Sequence, residues 1–167
     1  MRKLALFAAL ALTLPLALPM TAPLVAKDKI TDSQALAVVL ADTRRDADRS
    51  RDQFRHPAQT LAFCKVRPGQ TVVDYMPSSG WWTRVLVPYL GENGRYIGLN
   101  PDVRTVDERM KQYFGNLGGT FPAKVTEWTG AAGERIGAYN SDAVPESLSG
   151  KADRVLIMRE IHNLWRM

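Results

Sequence analysis

The chain has 167 residues, a formal net charge of +5 and a single cysteine. This length fits one domain and is too short for two, and one cysteine excludes an internal disulfide. The small excess of positive charge does not favour nucleic acid as a partner.

The first residues have the three-part pattern of a secretory signal. Arg2 and Lys3 precede a nearly uncharged run, Leu4–Val25, that is rich in leucine and alanine. Signal peptides combine a short positive start, an apolar stretch and a cleavage site after small residues. We therefore expect residues 1–26 to be a signal peptide, which predicts a periplasmic or secreted protein. Its removal lowers the formal charge from +5 to +3 because both cations are lost.

A retained membrane anchor is the alternative interpretation of this apolar run. Pro15, Pro19 and Pro23 interrupt it, and proline in a helix interior removes a hydrogen bond and kinks or breaks the helix. A spanning helix needs about 20 consecutive apolar residues. We therefore expect no stable membrane insertion after the signal is cleaved.

Residues 27–55 are predicted to form a helical, charge-rich N-terminal extension. Thr31 or Asp32 can cap a helix over Ser33–Ala41, because their side-chain oxygens accept hydrogen bonds from the first free amides. The following segment, Asp42–Arg55, alternates arginine and aspartate. Mixed charges at helical spacing favour a solvated helix or loop here.

From residue 56 onward, predicted strands and helices alternate. Pro57 suits the first turn of a helix over Ala58–Cys64. The later predicted elements, in chain order, are a strand at Thr71–Met76, a helix at Trp81–Leu90, a strand at Arg95–Asn100, a helix at Thr105–Phe114, a strand at Ala123–Trp128, a long loop at Thr129–Lys151 and a strand at Ala152–Met158. Strands joined by helices favour a parallel sheet. The pattern predicts a Rossmann-like, doubly wound α/β domain.

A polar, glycine-ended loop follows the first predicted strand. The segment Val72–Thr83 reads VVDYMPSSGWWT. It resembles the first motif of class I S-adenosylmethionine-dependent methyltransferases, in which an apolar strand and an acidic residue precede a Gly-x-Gly-x-Gly loop and a helix. The alternative is an ordinary turn between a strand and a helix, because short glycine motifs are weakly specific.

The chain also resembles a narrower family of exported, predicted methyltransferases. The residues that match its two further motifs are His56, Pro57, Thr60, Leu61 and Phe63 in the lead-in and Arg159, His162 and Asn163 near the end of the chain. Members of that family continue for about another half-domain. The resemblance therefore implies a partial methyltransferase domain over residues 56–167, truncated at its C-terminus.

The resemblance implies S-adenosylmethionine as the cofactor and names residues that would bind it. Asp74 would orient the loop and the methionyl end of the cofactor, and Gly80 would permit its close contact. From the residues themselves, the Ser78 hydroxyl is a candidate hydrogen-bond partner for a ligand, and one of Trp81 and Trp82 is a candidate to line the pocket, although paired aromatics in an apolar helix are more often core. Glycine at such a loop allows a close backbone approach, and free amides at a helix start favour a carboxylate. Asn100 and Asp102, which follow the second strand, are candidates for the ribose hydroxyls, although Asn100-Pro101-Asp102 is equally typical of a turn.

The loop departs from the glycine pattern at several positions. Met76 and Ser78 replace the first two glycines, and Ser79 replaces another that the narrower family carries. If these positions need a positive φ, each side chain costs about 1 kcal/mol or more. Cofactor binding is therefore expected to be weaker than in a loop with all of its glycines.

The candidate catalytic residues follow the last predicted strand. Methyl transfer needs an acceptor held in line with the methyl group and, for many acceptors, a base. His162 and Glu160 are the candidates for that base, although a single histidine at a strand end is more often structural. His56 and His162 are the only histidines and lack ligand-spaced partners, so no metal site is predicted.

Two functions remain open at this level. The first is a methyltransferase of the cell envelope that acts on a small molecule or an envelope component. The second is an exported Rossmann-like binding protein without catalysis, or an inactive fragment. A fragment with four strands would also leave an apolar edge strand unpaired, which favours aggregation. Neither the acceptor nor the oligomeric state follows from the sequence.

Overall fold

The computed structural model describes residues 30–131 and 133–164. The predicted signal peptide, residues 1–26, lies outside the described residues. The helices are α1 (Asp32–Ala41), α2 (Asp52–Arg55), α3 (Pro57–Phe63), α4 (Thr83–Leu90), α5 (Glu108–Phe114), α6 (Leu117–Thr129) and α7 (Ile161–Leu164). The strands are β1 (Thr71–Tyr75), β2 (Arg95–Asn100), β3 (Ile136–Asn140) and β4 (Arg154–Leu156). Within the described ranges, no helix is both long and apolar enough to cross a membrane.

The four strands form one sheet in which every neighbouring pair is parallel. Their order is β3-β2-β1-β4, which is the order of the first four strands of a Rossmann sheet. Val73 in the central strand pairs with Ile97 of β2 on one side and with Val155 of β4 on the other. The α/β, Rossmann-like prediction is therefore confirmed.

Each face of the sheet packs against a different set of residues. Alternate side chains of a strand point to opposite faces, so Val72 and Tyr96 belong to the larger core beneath α1, α4 and α6. Val73 and Ile97 point to the other face, where they pack against Leu148. The larger core therefore holds the start of α4 against the carboxyl ends of β1 and β2.

The third predicted strand, Ala123–Trp128, is wrong because these residues belong to α6. The buried side chains of this helix are Phe121, Val125 and Thr129, which recur every four residues as helical periodicity requires. The actual third strand, β3, lies inside the segment that was predicted to be a long loop, and it pairs along β2.

The prediction that Asp42–Arg55 forms a solvated segment is also wrong in part. Arg45 is 1% exposed and Asp48 is 9% exposed. Arg45 lies over the ring of Trp81, with Cζ 5.3 Å from the ring centroid, and pairs with Asp52 at 2.8 Å. Pairing and stacking on an aromatic ring allow these charges to be buried.

Candidate functional site

The loop that follows β1, residues Met76–Gly80, has alternating left-handed backbone. The φ angles are +54° at Met76, +53° at Ser78 and +75° at Gly80. These positions have the spacing of the three glycines in a Gly-x-Gly-x-Gly loop. Met76 and Ser78 therefore adopt the positive φ that side chains disfavour, so each costs about 1 kcal/mol or more relative to a relaxed backbone. Ser79 is not among the residues with positive φ.

Gly80 is required for packing as well as for its backbone conformation. A Cβ atom at this position would lie 2.3 Å from Cζ3 of Trp128, which is in α6. Trp128 in turn packs edge-on against Phe121, with the ring centroids 5.9 Å apart. The absence of a side chain at Gly80 therefore allows α6 to lie directly against the loop.

Asp74 lies just before this loop and is almost fully buried, with 1% exposure. Its Oδ2 accepts a 2.8 Å hydrogen bond from the hydroxyl of Tyr96, which lies 2.8 Å from the Thr83 hydroxyl. Burial raises the pKa of Asp74 to about 7, hydrogen bonds from Tyr96 and Thr83 oppose the rise, and the charge of Glu160 adds to it. Burial likewise raises the pKa of Tyr96. Asp74 can therefore gain or lose a proton near neutral pH.

A first cleft, of about 530 Å³, opens at the carboxyl edge of the sheet. In open parallel sheets, ligands bind in the crevice at this edge. A second cleft, of about 500 Å³, lies beside it. Met76, Ser78 and Glu160 line both clefts, so the two spaces meet above the loop.

The structure brings most of the predicted site residues to the first cleft. Its lining includes Asp74, Ser78, Trp81, Glu160 and His162. Gly80 belongs to the loop that forms one wall, although its own surface is buried.

The two ribose candidates lie in different surroundings. Asn100 lines the second cleft and is 6% exposed, and its Nδ2 donates to the carbonyl of Phe114 at 3.1 Å. Asp102 lines neither cleft. It pairs with Arg104 at 2.6 Å, and hydrogen bonds from Arg104 lower its pKa.

Trp81 and Trp82, which immediately precede α4, are both buried and both line the first cleft. Their rings meet edge to face, with centroids 4.8 Å apart. The indole N–H of Trp81 donates to the carbonyl of Asp48 at 3.1 Å. The indole N–H of Trp82 has no hydrogen-bond partner within residues 30–131 and 133–164.

The candidate bases lie in and beside α7. Glu160 is half-buried, and its Oε2 accepts a 2.5 Å hydrogen bond from Nδ2 of Asn163. His162 is exposed on the rim of the first cleft. Of the two candidate bases, Glu160 therefore has the side chain whose position is held by a hydrogen bond.

Sequence reasoning missed two features of this site. The first is the hydrogen bond from Tyr96 to Asp74, because the sequence indicates only that Tyr96 lies in a strand. The second is the position of Arg51 and Arg55 at the cleft, because their segment is predicted to be solvated. The strand register supplies the signal for Tyr96: it pairs with Val72, two residues before Asp74 on the same face of the sheet. The arginines reach the cleft through long-range packing, which leaves no local signal.

The fold is that of a Rossmann-like α/β protein, with a cleft at the carboxyl edge of its sheet. No protein-family model matches the chain, and no curated protein matches it either.

Proposed function

We propose that this protein binds S-adenosylmethionine across the two clefts and transfers its methyl group to an acceptor in the cell envelope. One observation carries the proposal: left-handed backbone alternates at Met76, Ser78 and Gly80, directly after the buried Asp74. Positive φ is the backbone conformation that glycine adopts without a Cβ penalty, and it persists here although two of the three positions carry side chains.

The residues present fit the cofactor. S-adenosylmethionine carries an ammonium and a carboxylate at its methionyl end. Asp74 would pair with the ammonium, while the backbone around Ser78 and Gly80 would approach the carboxylate. In the second cleft, Oδ1 of Asn100 would accept a hydrogen bond from a ribose hydroxyl, and Tyr113, which also lines it, would contact the base.

In this proposal the cofactor and the protein have different roles in methyl transfer. Bound S-adenosylmethionine would supply an electrophilic methyl group. The protein would orient the acceptor and remove its proton. Glu160 lines both clefts, so it borders the space of a cofactor that spans them, and an acceptor would enter the first cleft beside the methionyl end of that cofactor. His162 on the rim is the alternative base.

A second function, ligand binding without catalysis, is favoured by the surroundings of His162. This side chain is exposed, and among the hydrogen bonds of the described residues none orients its imidazole. A base that acts in catalysis is usually held within hydrogen-bond reach of its target. This function shares the cleft and the loop with the first.

Calorimetric titration of the full chain with S-adenosylmethionine tests the proposal. We expect saturable binding, and we expect S-adenosylhomocysteine to compete for the same site. Absence of binding at millimolar cofactor would exclude both the enzyme and the cofactor-binding protein. Incubation with methyl-labelled cofactor and a cell-envelope extract then separates the two functions: label transferred to an acceptor supports the enzyme, and binding without transfer supports the second function.

A further inference from the structure

Three arginines from two distant parts of the chain meet at the first cleft. Arg51 and Arg55 lie in and before α2, and Arg159 follows β4. In the part of the chain that the structure describes, none of the three guanidinium groups forms a salt bridge. Other arginines nearby are paired, as Arg45 is with Asp52 at 2.8 Å. The positive charge at this wall of the cleft is therefore not neutralised by ion pairs.

Arg51 and Arg159 both lie close enough to Arg55 for their charges to act on it. Burial lowers the pKa of Arg55, and the charges of Arg51 and Arg159 lower it further. The charge of Asp48 opposes this and raises the pKa of Arg55. Asp48, however, already accepts two hydrogen bonds from Arg84, at 2.5 and 2.8 Å. Like charges held together in this way favour an anion between them.

Arg55 is also held in place at the cleft wall. Its Cζ lies 4.5 Å from the centroid of the Trp81 ring, and the Trp81 indole is itself fixed by its hydrogen bond to Asp48. Stacking on an aromatic face orients the guanidinium plane. A pre-oriented guanidinium loses less conformational entropy on binding a ligand.

We propose that Arg51, Arg55 and Arg159 bind a carboxylate or phosphate group of the methyl acceptor. The planar guanidinium donates paired hydrogen bonds that match the oxygens of both groups. This inference rests on the proposed function, because it assigns the part of the first cleft that the arginines line to the acceptor, beside the methionyl end of the cofactor at Asp74, and names the chemical class of that acceptor as an anion.

Titration of the full chain with inorganic phosphate, followed by calorimetry, tests the site itself. We expect saturable binding that Arg55→Gln and Arg159→Gln each weaken about 10-fold or more, since each removes a charged hydrogen bond. Arg55→Lys should retain part of the affinity. Arg67→Gln, an exposed arginine that does not line the cleft, is the matched control. Unchanged phosphate affinity in variants whose melting temperature is also unchanged would overturn the proposal.

A second titration separates the acceptor from the carboxylate of the cofactor. Phosphate is titrated into protein saturated with S-adenosylhomocysteine, whose methionyl carboxylate is the competing source of the anion. Unchanged phosphate affinity supports an acceptor site. Weaker phosphate binding in the presence of S-adenosylhomocysteine would mean that the arginines bind the carboxylate of the cofactor, and it would overturn the proposal. If neither S-adenosylhomocysteine nor S-adenosylmethionine binds, but the affinity for phosphate still depends on the arginines, the proposed function fails while the anion site at the arginines is retained.

Discussion

The hydroxyl of Tyr96 in β2 donates a 2.8 Å hydrogen bond to Oδ2 of Asp74 at the end of β1. The Thr83 hydroxyl at the start of α4 lies 2.8 Å from the same Tyr96 oxygen. All three side chains are buried. This short chain of hydrogen bonds ties two strands to the helix on the far side of the loop, so it fixes both ends of Met76–Gly80.

Replacing Tyr96 by phenylalanine removes the donor to Asp74 and keeps the ring. The lost bond is charge-assisted when Asp74 is ionised, so we expect a loss of about 2 to 3 kcal/mol in the free energy of unfolding at pH 8. At pH 5, where Asp74 is protonated, the loss should be about 1 kcal/mol. Urea unfolding at the two pH values measures both. Equal losses would contradict a charged acceptor at Asp74.

Asp74→Asn should change the pH dependence of stability in a defined direction. Because the pKa of Asp74 is about 7 in the folded protein and 3.8 ordinarily, the unfolded chain loses this proton first. Wild-type stability should therefore fall as pH rises from about 4 to about 7 and level off above that range. The variant lacks this group, so its stability relative to wild type should rise across the same range by up to about 4 kcal/mol.

Urea unfolding of both proteins at intervals from pH 4 to pH 8 measures this difference. Asp46→Asn, which changes an exposed carboxyl that lines neither cleft, is the control for the chemical change itself. A wild-type-to-variant difference that stays constant with pH would show that Asp74 is not perturbed by burial.

Glycine substitutions at two adjacent serines should have opposite effects. Ser78 has φ +53° and is exposed, whereas Ser79 is exposed without a positive φ. Ser78→Gly should stabilise the protein by up to about 1 kcal/mol, because relief of the left-handed strain exceeds the entropy cost of glycine. Ser79→Gly should destabilise it by about 0.5 to 1 kcal/mol. Thermal unfolding that shows the same sign for both would contradict the backbone alternation.

Gly80→Ala should destabilise the protein by about 2 to 4 kcal/mol, since it combines left-handed strain with overlap against Trp128. Gly130 provides a control: it is left-handed, with φ +69° and ψ +10°, but the nearest atom to a Cβ built there is Nη1 of the flexible Arg44 side chain, at 3.4 Å. Gly130→Ala should therefore cost only the strain, about 1 to 2 kcal/mol. Equal losses in chemical denaturation would mean that α6 does not press against the loop.

The sequence predicted the central elements closely and one strand wrongly. The bounds of β2 agree with its prediction, and those of β1 differ by one residue, because runs of β-branched and aromatic residues carry a strong local signal. Strand β3 contains Gly137 and Ala138, which give little signal of this kind. Around Val125, apolar and polar residues alternate over a short stretch as they do in a strand, and this produced the wrong prediction. The spacing of Val125 from Phe121 and Thr129 is four residues on each side, which is helical.

The candidate site was predictable where one motif carries it. Asp74 in β1 and Ser78 and Gly80 in the loop after it follow from this one motif, and the φ angles of Ser78 and Gly80 agree with the glycine spacing. Arg51 and Arg159 are separated by about a hundred residues in sequence and meet only through the packing of the N-terminal extension on Trp81. No local pattern encodes that contact, so the cationic wall of the cleft is visible only in the structure.

Photo-crosslinking of methyl-labelled S-adenosylmethionine, followed by peptide mapping, tests the central claim most directly. Trypsin should release residues 66–84 as one peptide, because Pro68 protects the bond after Arg67, and this peptide contains Asp74, the whole loop and both tryptophans. We predict that the label is found in this peptide and that unlabelled S-adenosylhomocysteine prevents its incorporation. Label that is absent, or confined to peptides that do not line either cleft, would contradict the assignment of this loop to the cofactor.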